Sequence, residues 1–280
     1  MAPALIITIG IMYPFIAAIY YSFTNFSFGK RGYNFIGLKN WIAMFSSGDF
    51  WHAITVTGKY AIFTVGTEMI LGLGIAILLS KPSKYAKALR ILLVFPLMVA
   101  PVIATLIWQL MLNNSVGIIE RLLNAFGVYN FPWASSTKTA MMTAVMIDVW
   151  VYTPFVILLI LAGIQSLPKS SFEAAEIDGG SAWFTFKNLT FPMLKPFMYI
   201  ALIFRLMASI QEFGIIFALT KGGPGNTLMN LSITAYNMGF AFKQLAKSMP
   251  YVLVMWIIIN IISKRLVGGW LTAQKTAAGK

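Results

Sequence analysis

Six long runs of apolar residues, separated by shorter polar segments, dominate the pattern of this chain. The runs cover residues 2–23, 60–80, 91–112, 139–164, 197–219 and 249–263. Because a helix needs about 20 apolar residues to cross a bilayer, each run predicts a membrane-spanning helix, the last of them short. The first run lacks the basic segment of a secretion signal, which predicts a retained helix. The pattern therefore predicts an all-α integral membrane protein with six transmembrane helices and both termini on one side.

Composition supports this class. The 280 residues are 59% hydrophobic and only 10% charged, whereas a soluble domain carries about 25% charged residues. Cysteine is absent and His52 is the only histidine, which excludes disulfides, thiolate metal sites and multi-histidine sites, so no metal site is predicted. The net charge is +13. Its lysines lie in the short gaps between apolar runs, as beside anionic lipid, and not in a basic stripe that would bind nucleic acid.

The loops suggest an orientation and a division of the chain. Residues 24–59 are rich in aromatic side chains, which predicts an amphipathic segment at the membrane interface, with His52 lying in that interface. Residues 81–90 carry four cations and no acid, which favours a cytoplasmic position. We predict three regions. They are a first span with an external loop (1–59), a transmembrane core with a coupling loop at 165–196 (60–267), and a cytoplasmic tail (268–280).

Small residues and prolines mark two of the spans. In the second span, Gly66, Gly72 and Gly74 predict a face for close helix packing. In the third, Pro96 and Pro101 interrupt the backbone hydrogen bonds. In a membrane such a break is tolerated where neighbouring groups or a water-lined cavity satisfy the carbonyl groups.

Polar side chains at membrane depth lie on the fourth and fifth spans. Helical spacing places one acid, one phenol and two apolar side chains on a single face of the fourth span: Asp148, Val151, Tyr152 and Phe155. Such a stripe suits a sugar, whose hydroxyls need acceptors and whose C–H faces stack on rings, but it also suits a helix-packing face. On the fifth span, Arg205, Ser209 and Glu212 share a face, so Arg205 and Glu212 are expected to neutralise each other through neighbours.

The most polar segment, residues 170–192, lies between these two spans. Ser170 and Glu173 form the pattern of a capping box, which predicts that a helix begins there. Gly179 and Gly180 predict its end after roughly two turns. The physics alone leaves two readings open, a solvated joint between spans or a docking site for a soluble partner.

The motif within this segment resembles a known one. Glu173-Ala174-Ala175, followed by Gly179 and by Leu189-Thr190-Phe191-Pro192, is similar to the EAA loop of binding-protein-dependent ABC importers. The departures, Leu189 for Ile and Phe191 for Leu, are apolar exchanges. The segments 35–41, 50–54, 178–183 and 219–227 also resemble the carbohydrate-uptake permeases of the maltose-transporter type. The resemblance covers nearly the whole chain.

The resemblance implies a type I ABC importer permease fold, with a cytoplasmic EAA coupling helix, in the bacterial inner membrane. Its partners would be a second homologous permease, two ATP-binding subunits that hold ATP and Mg²⁺, and an external solute-binding protein. The chain itself would be non-catalytic and would carry no cofactor. The implied coupling residues are Glu173, Ala174, Ala175, Asp178, Gly179 and Ser181. The implied substrate-pathway residues are Asp148, Val151, Tyr152, Phe155, Ser209 and Glu212.

Substrate and energy source leave alternatives. A neutral oligosaccharide, an acidic polyuronate and a glycerol phosphate ester all fit the resemblance. A proton-coupled secondary transporter using Asp148 and Glu212 is the alternative function, and it would need no EAA loop. A membrane-embedded enzyme is disfavoured, because the sequence has no HExxH motif and no serine–histidine pair.

Overall fold

The computed structural model describes residues 2–81 and 83–277, and helices form nearly all the regular secondary structure of these residues. Thr24 and Phe35 form an isolated antiparallel bridge, and no longer strand occurs in the described ranges. The helices are α1 (Ala2–Ser22), α2 (Lys39–Phe45), α3 (Gly48–Ser80), α4 (Lys84–Met98), α5 (Pro101–Met111), α6 (Ile118–Ala125), α7 (Ala140–Ser166), α8 (Lys169–Ile177), α9 (Ala182–Thr185), α10 (Phe191–Ile210), α11 (Gly214–Thr220), α12 (Leu231–Tyr236) and α13 (Leu245–Ala277). Short π-helical turns, Phe186–Thr190 and Asn237–Ala241, join α9 to α10 and follow α12.

Four helical stretches in the described part of the chain are long and apolar enough to cross a membrane: Gly48–Ser80, Ala140–Ser166, Ala182–Ile210 and Leu245–Thr276. The bent pair α4 and α5 provides a fifth if it counts as one span. The 21-residue α1 covers the first predicted run. The all-α membrane class is confirmed, and the fourth predicted span agrees closely with α7.

Two spans are longer than their apolar runs indicate. The helix α3 begins at Gly48 rather than at about Tyr60, because the Ser47 side chain accepts a hydrogen bond from the Asp49 N–H and caps it. Its 33 residues extend about 50 Å, beyond the roughly 30 Å hydrocarbon core. The last span is not short, since α13 runs from Leu245 to Ala277. Residues 278–280 of the predicted tail lie outside the described residues.

The third predicted span is broken. The axes of α4 and α5 differ by 101°, and the break falls between Met98 and Pro101. Pro101 has no N–H to donate and occupies the first turn of α5, where none is needed. Three of the four cations predicted to lie in a loop before this span lie instead on α4, which begins at Lys84 and contains Arg90, whereas Lys81 follows the end of α3.

The fifth predicted span is displaced along the sequence. Its helical stretch begins at Ala182 rather than at Phe197, and α10 ends at Ile210. Glu212 therefore lies beyond the helix that carries Arg205. Its Oε1 accepts a hydrogen bond from the Ile215 N–H at 2.7 Å, which caps the start of α11.

The helix α7 lies at the centre of the fold. More than half of its most apolar stretch is buried inside the chain, and it packs against α3, α4 and α10. A Cβ added at Gly72 of α3 would lie 2.5 Å from Cγ1 of Val156, so α3 and α7 cross closely there. A Cβ added at Gly66 or Gly74 would have no neighbouring atom within 4 Å. The predicted packing face is thus correct for one of its three glycines.

Candidate functional site

A cluster of charged side chains joins three helices in the interior of the chain. Arg205 of α10 donates from Nε to Oε2 of Glu68 on α3 at 2.6 Å, and from Nη2 to Oε1 of the same carboxylate at 2.8 Å. Its Nη2 also donates to Oδ1 of Asp148 on α7 at 2.6 Å. All three side chains are buried. One guanidinium thus bridges two carboxylates, in the bidentate geometry that favours arginine over lysine.

Neutral hydrogen bonds extend this cluster. The Tyr60 hydroxyl on α3 donates to Oδ2 of Asp148 at 2.7 Å. Thr64 lies one helical turn from Tyr60 on α3. Its Oγ1 is 2.8 Å from Oγ of Ser209 on α10, which is a hydrogen-bonding distance. Every buried carboxylate oxygen of Glu68 and Asp148 therefore has a donor, as buried charge requires.

Three aromatic rings lie beside the cluster. The Arg205 guanidinium carbon is 3.9 Å from the centroid of the Tyr152 ring, a close cation–π contact. The Phe155 ring meets the Phe204 ring of α10 edge-on, with centroids 6.1 Å apart. Tyr152 and Phe155 are partly exposed, and Phe204 is exposed. Aromatic side chains therefore reach the surface beside the cluster.

The predicted pathway residues thus divide into two groups. Tyr152 and Phe155 reach the surface of the chain, whereas Asp148, Val151 and Ser209 are buried within it. Glu212 is also buried and lies beyond the end of α10. The expected relation between Arg205 and Glu212 is wrong, since the ion pairs of Arg205 are with Glu68 and Asp148.

Sequence reasoning missed the connection between Glu68 and the other two charges. One signal was available: three spans carry one or two isolated charges each, and one of these is a cation. The sequence did not reveal which spans pack together or at which depth each charge lies.

The segment predicted to act in coupling forms an exposed helix. None of the nine residues of α8 is buried, and Ile177 at its end is 86% exposed. The helix begins at Lys169, directly after Pro168, and no side chain caps it. The predicted capping box is wrong, because Ser170 already lies inside the first turn.

The end of α8 follows the prediction. Gly179 has a φ of +74°, a left-handed conformation that glycine adopts without strain. The Gly180 N–H donates to the Ala175 carbonyl at 2.8 Å, and the Gly179 N–H donates to that of Glu176 at 3.1 Å, which is the Schellman arrangement. Two residues later, Ser181 Oγ accepts from the Phe184 N–H and caps α9. The chain thus turns sharply and starts a new helix at once.

A cavity of about 900 Å³ separates α8 from the ends of the long helices. Ile77 and Ser80 of α3 and Ile164 of α7 form its wall on the membrane side. Glu173 and Glu176 line it from α8. Because no residue of α8 is buried, its outer surface is available to a partner.

The comparisons with known proteins agree with this architecture. The family described as "binding-protein-dependent transport system inner membrane component" matches residues 68–268. The chain is 35% identical to a probable ABC transporter permease of Sinorhizobium fredii, over 95% of this chain and 86% of that protein. It is 38% identical to the trehalose/maltose transport permease MalF of Thermococcus litoralis, over 72% and 69%. A chain of a bacterial ABC transporter involved in the import of the acidic polysaccharide alginate has a similar fold, with a TM-score of 0.81, 18% identity and coverage of 99% and 92%.

Long apolar helices that pack around a buried polar cluster define a multi-pass membrane protein. The chain belongs to the family of binding-protein-dependent transport system inner membrane components, the ABC importer permeases. It is accordingly a multi-pass protein of the inner membrane.

Proposed function

We propose that this chain is the permease subunit of an ATP-driven importer that takes up a sugar or oligosaccharide. Together with a second, homologous permease it would form the pathway, and an external solute-binding protein would deliver the substrate. Two partner subunits would bind ATP and Mg²⁺ and hydrolyse the nucleotide. The chain itself contributes no catalytic group. The relatives named above, one for trehalose and maltose and one for alginate, support the carbohydrate class.

The observation that carries this proposal is the coupling helix α8. It is short, unburied and stopped by Gly179, and its sequence contains Glu173-Ala174-Ala175 at the spacing of the EAA loop. On helical spacing Ala174, Ile177 and Asp178 share the outer face. A small residue beside an exposed apolar one lets a partner's groove approach closely.

The mechanism follows from the rigidity of this element. A helix closed by a Schellman turn transmits a displacement better than a flexible loop does. When ATP draws the two ATPase subunits together, the α8 helices of the two permeases would be pulled with them. That movement would convert the pathway from inward-facing to outward-facing. Glu173, on the cavity side, and Ser181, which caps α9, would keep the segment in its shape.

The secondary-transporter alternative requires a carboxylate that exchanges protons with water. Asp148 is fully buried and binds both Arg205 and Tyr60. Glu212 caps α11 and is almost fully buried. These contacts give the alternative no support.

The test is isolation of the complex from native membranes with a tag on this chain. We expect an ATP-binding subunit and a second permease to be recovered with it. In proteoliposomes that contain the purified complex and its binding protein, saccharide uptake should require ATP on the side of the ATPase subunits and should continue with a protonophore. Uptake that a protonophore abolishes while ATP is present would overturn the proposal in favour of the proton-coupled alternative.

A further inference from the structure

We propose that Glu68, Arg205 and Asp148 form a closed charge unit that positions the Tyr152 ring, and that the substrate of this pathway is an uncharged saccharide. This inference rests on the proposed function and narrows it. It chooses among the three substrate classes that the resemblance leaves open: neutral oligosaccharides, acidic polyuronates and glycerol phosphate esters.

An anionic substrate would need a free cation near the cluster. The helices α3, α7 and α10 contain three cationic residues, Lys59, Lys195 and Arg205. Lys59 adjoins Tyr60 of the cluster on α3, but its side chain is exposed, and the exposed Lys195 lies ten residues from Arg205 on α10, roughly 15 Å at 1.5 Å per residue. Arg205 is therefore the cation that could neutralise an anionic substrate here.

Arg205 already binds two carboxylates, those of Glu68 and Asp148. Its Nε and Nη2 hold two carboxylates at 2.6–2.8 Å, and its side chain is buried. Two acids surround one guanidinium, so the described cluster itself has no surplus positive charge. A carboxylate or phosphate passing this face would meet acids without a free counter-ion, which is costly in a medium of low dielectric constant.

Aromatic side chains reach the surface beside the cluster, where a substrate could contact them. The side chains at the edge of the cluster are the rings of Tyr152, Phe155 and Phe204. Aromatic faces suit the C–H faces of pyranose rings and carry no charge. They fit a neutral saccharide better than a polyanion.

Arg205 itself holds the Tyr152 ring in place. Its guanidinium lies 3.9 Å from the Tyr152 ring centroid, and Glu68 and Asp148 fix its plane. The guanidinium packs against one face of the Tyr152 ring and holds the ring in one orientation. The other parts of the side chain reach the surface, since Tyr152 is partly exposed. Arg205 is a positioning residue, since it acts on the substrate through Tyr152.

The substrate arm uses the purified complex with its own binding protein in proteoliposomes. Neutral probes, maltose, trehalose and cellotriose, are compared with trigalacturonate and glycerol 3-phosphate. We expect at least one neutral saccharide to be transported about tenfold faster than either anion. Preferred uptake of trigalacturonate or glycerol phosphate overturns the inference; the former leaves the proposed sugar importer intact. Absence of saccharide uptake by a complex that contains the ATPase overturns the proposed function as well.

The positioning arm uses kinetics. We expect Tyr152→Leu to raise the apparent KM for substrate in stimulated ATP hydrolysis by about tenfold with little change in kcat, whereas Tyr152→Phe keeps both. Arg205→Lys should raise KM like Tyr152→Leu, because an ammonium lacks the planar surface under the ring. Trp150→Leu is the matched control, an aromatic residue of α7 that is 38% exposed and contacts Trp108 instead.

A second variant covers the case in which Arg205→Lys does not fold. The triple substitution Glu68→Gln/Asp148→Asn/Arg205→Met removes the guanidinium without leaving a buried charge unpaired. The same rise in KM is expected, with wild-type expression. An unchanged KM in either folded variant overturns the positioning role.

Discussion

Arg205 and Glu68 form a two-pronged ion pair between α10 and α3, with Nε–Oε2 and Nη2–Oε1 distances of 2.6 and 2.8 Å. The residues are 137 positions apart in the sequence. Arg205 also bonds to Asp148, which ties the second, fourth and fifth predicted spans together. In a membrane, where lipid tails are as apolar as leucine, such polar contacts help to specify which helices associate.

This relationship predicts a large loss of stability when the cation is removed alone. In Arg205→Met the buried Glu68 loses both of its donors and the buried Asp148 keeps only Tyr60. Breaking a buried pair in this way costs about 3–5 kcal/mol. The apparent Tm of the purified protein in detergent should fall accordingly. The triple variant with Glu68→Gln and Asp148→Asn should recover most of that loss, because no unpaired charge remains. A triple variant as unstable as Arg205→Met would contradict this account.

The cluster also marks the limit of sequence reasoning. Asp148, Arg205 and Glu68 were visible as isolated charges in apolar runs, yet their pairing depends on helix packing and depth, which periodicity does not encode. Arg205 was expected near Glu212 because both lay on one extended helical face. That expectation failed when α10 ended at Ile210.

Local features were more predictable than long-range ones. The turn at Gly179 depends on a few neighbouring residues, and the structure has it in the predicted conformation. The start of α3 was missed although Ser47 and Asp49 carried a capping signal, because the apolar run began later. Polar helical turns beyond the bilayer are invisible to a search for apolar runs.

The close crossing of α3 and α7 predicts unequal effects of glycine substitutions. Gly72→Ala should destabilise by about 1–3 kcal/mol, since its Cβ would lie 2.5 Å from Cγ1 of Val156. Gly66→Ala and Gly74→Ala are the matched controls, because nothing lies within 4 Å of their added Cβ atoms. Their free energies of unfolding should stay within about 0.5 kcal/mol of wild type, so their apparent Tm values should be close to that of the wild type. Equal losses at all three positions would show that the crossing is not the cause.

The turn after α8 predicts a difference between two substitutions at one position. The φ of +74° at Gly179 is strained for a β-branched residue, at a cost of about 1–2 kcal/mol, but asparagine tolerates it. No neighbouring atom lies within 4 Å of an added Cβ, so the effect comes from the backbone and not from a clash. Substrate-stimulated ATP hydrolysis should be lost in Gly179→Val and largely retained in Gly179→Asn. Equal activity of both variants, at equal expression, would mean that coupling does not depend on this turn.

The charge of Glu173 predicts the last effect. Glu173 and Glu176 line the cavity behind α8 together with Lys169, so Glu173→Lys replaces one of two acids by a second cation. A second cation beside Lys169 should disturb how α8 is held against the ends of the long helices and so reduce substrate-stimulated hydrolysis at least tenfold. The chain should still insert in the membrane, because no residue of α8 is buried. Lys187→Glu, an exposed charge reversal outside the residues that line the cavity, is the control and should leave stimulation near wild type. Full stimulation in Glu173→Lys at normal expression would exclude α8 as the point where ATP hydrolysis is coupled to transport, whereas loss in both variants would point to a general effect of charge on this side of the protein.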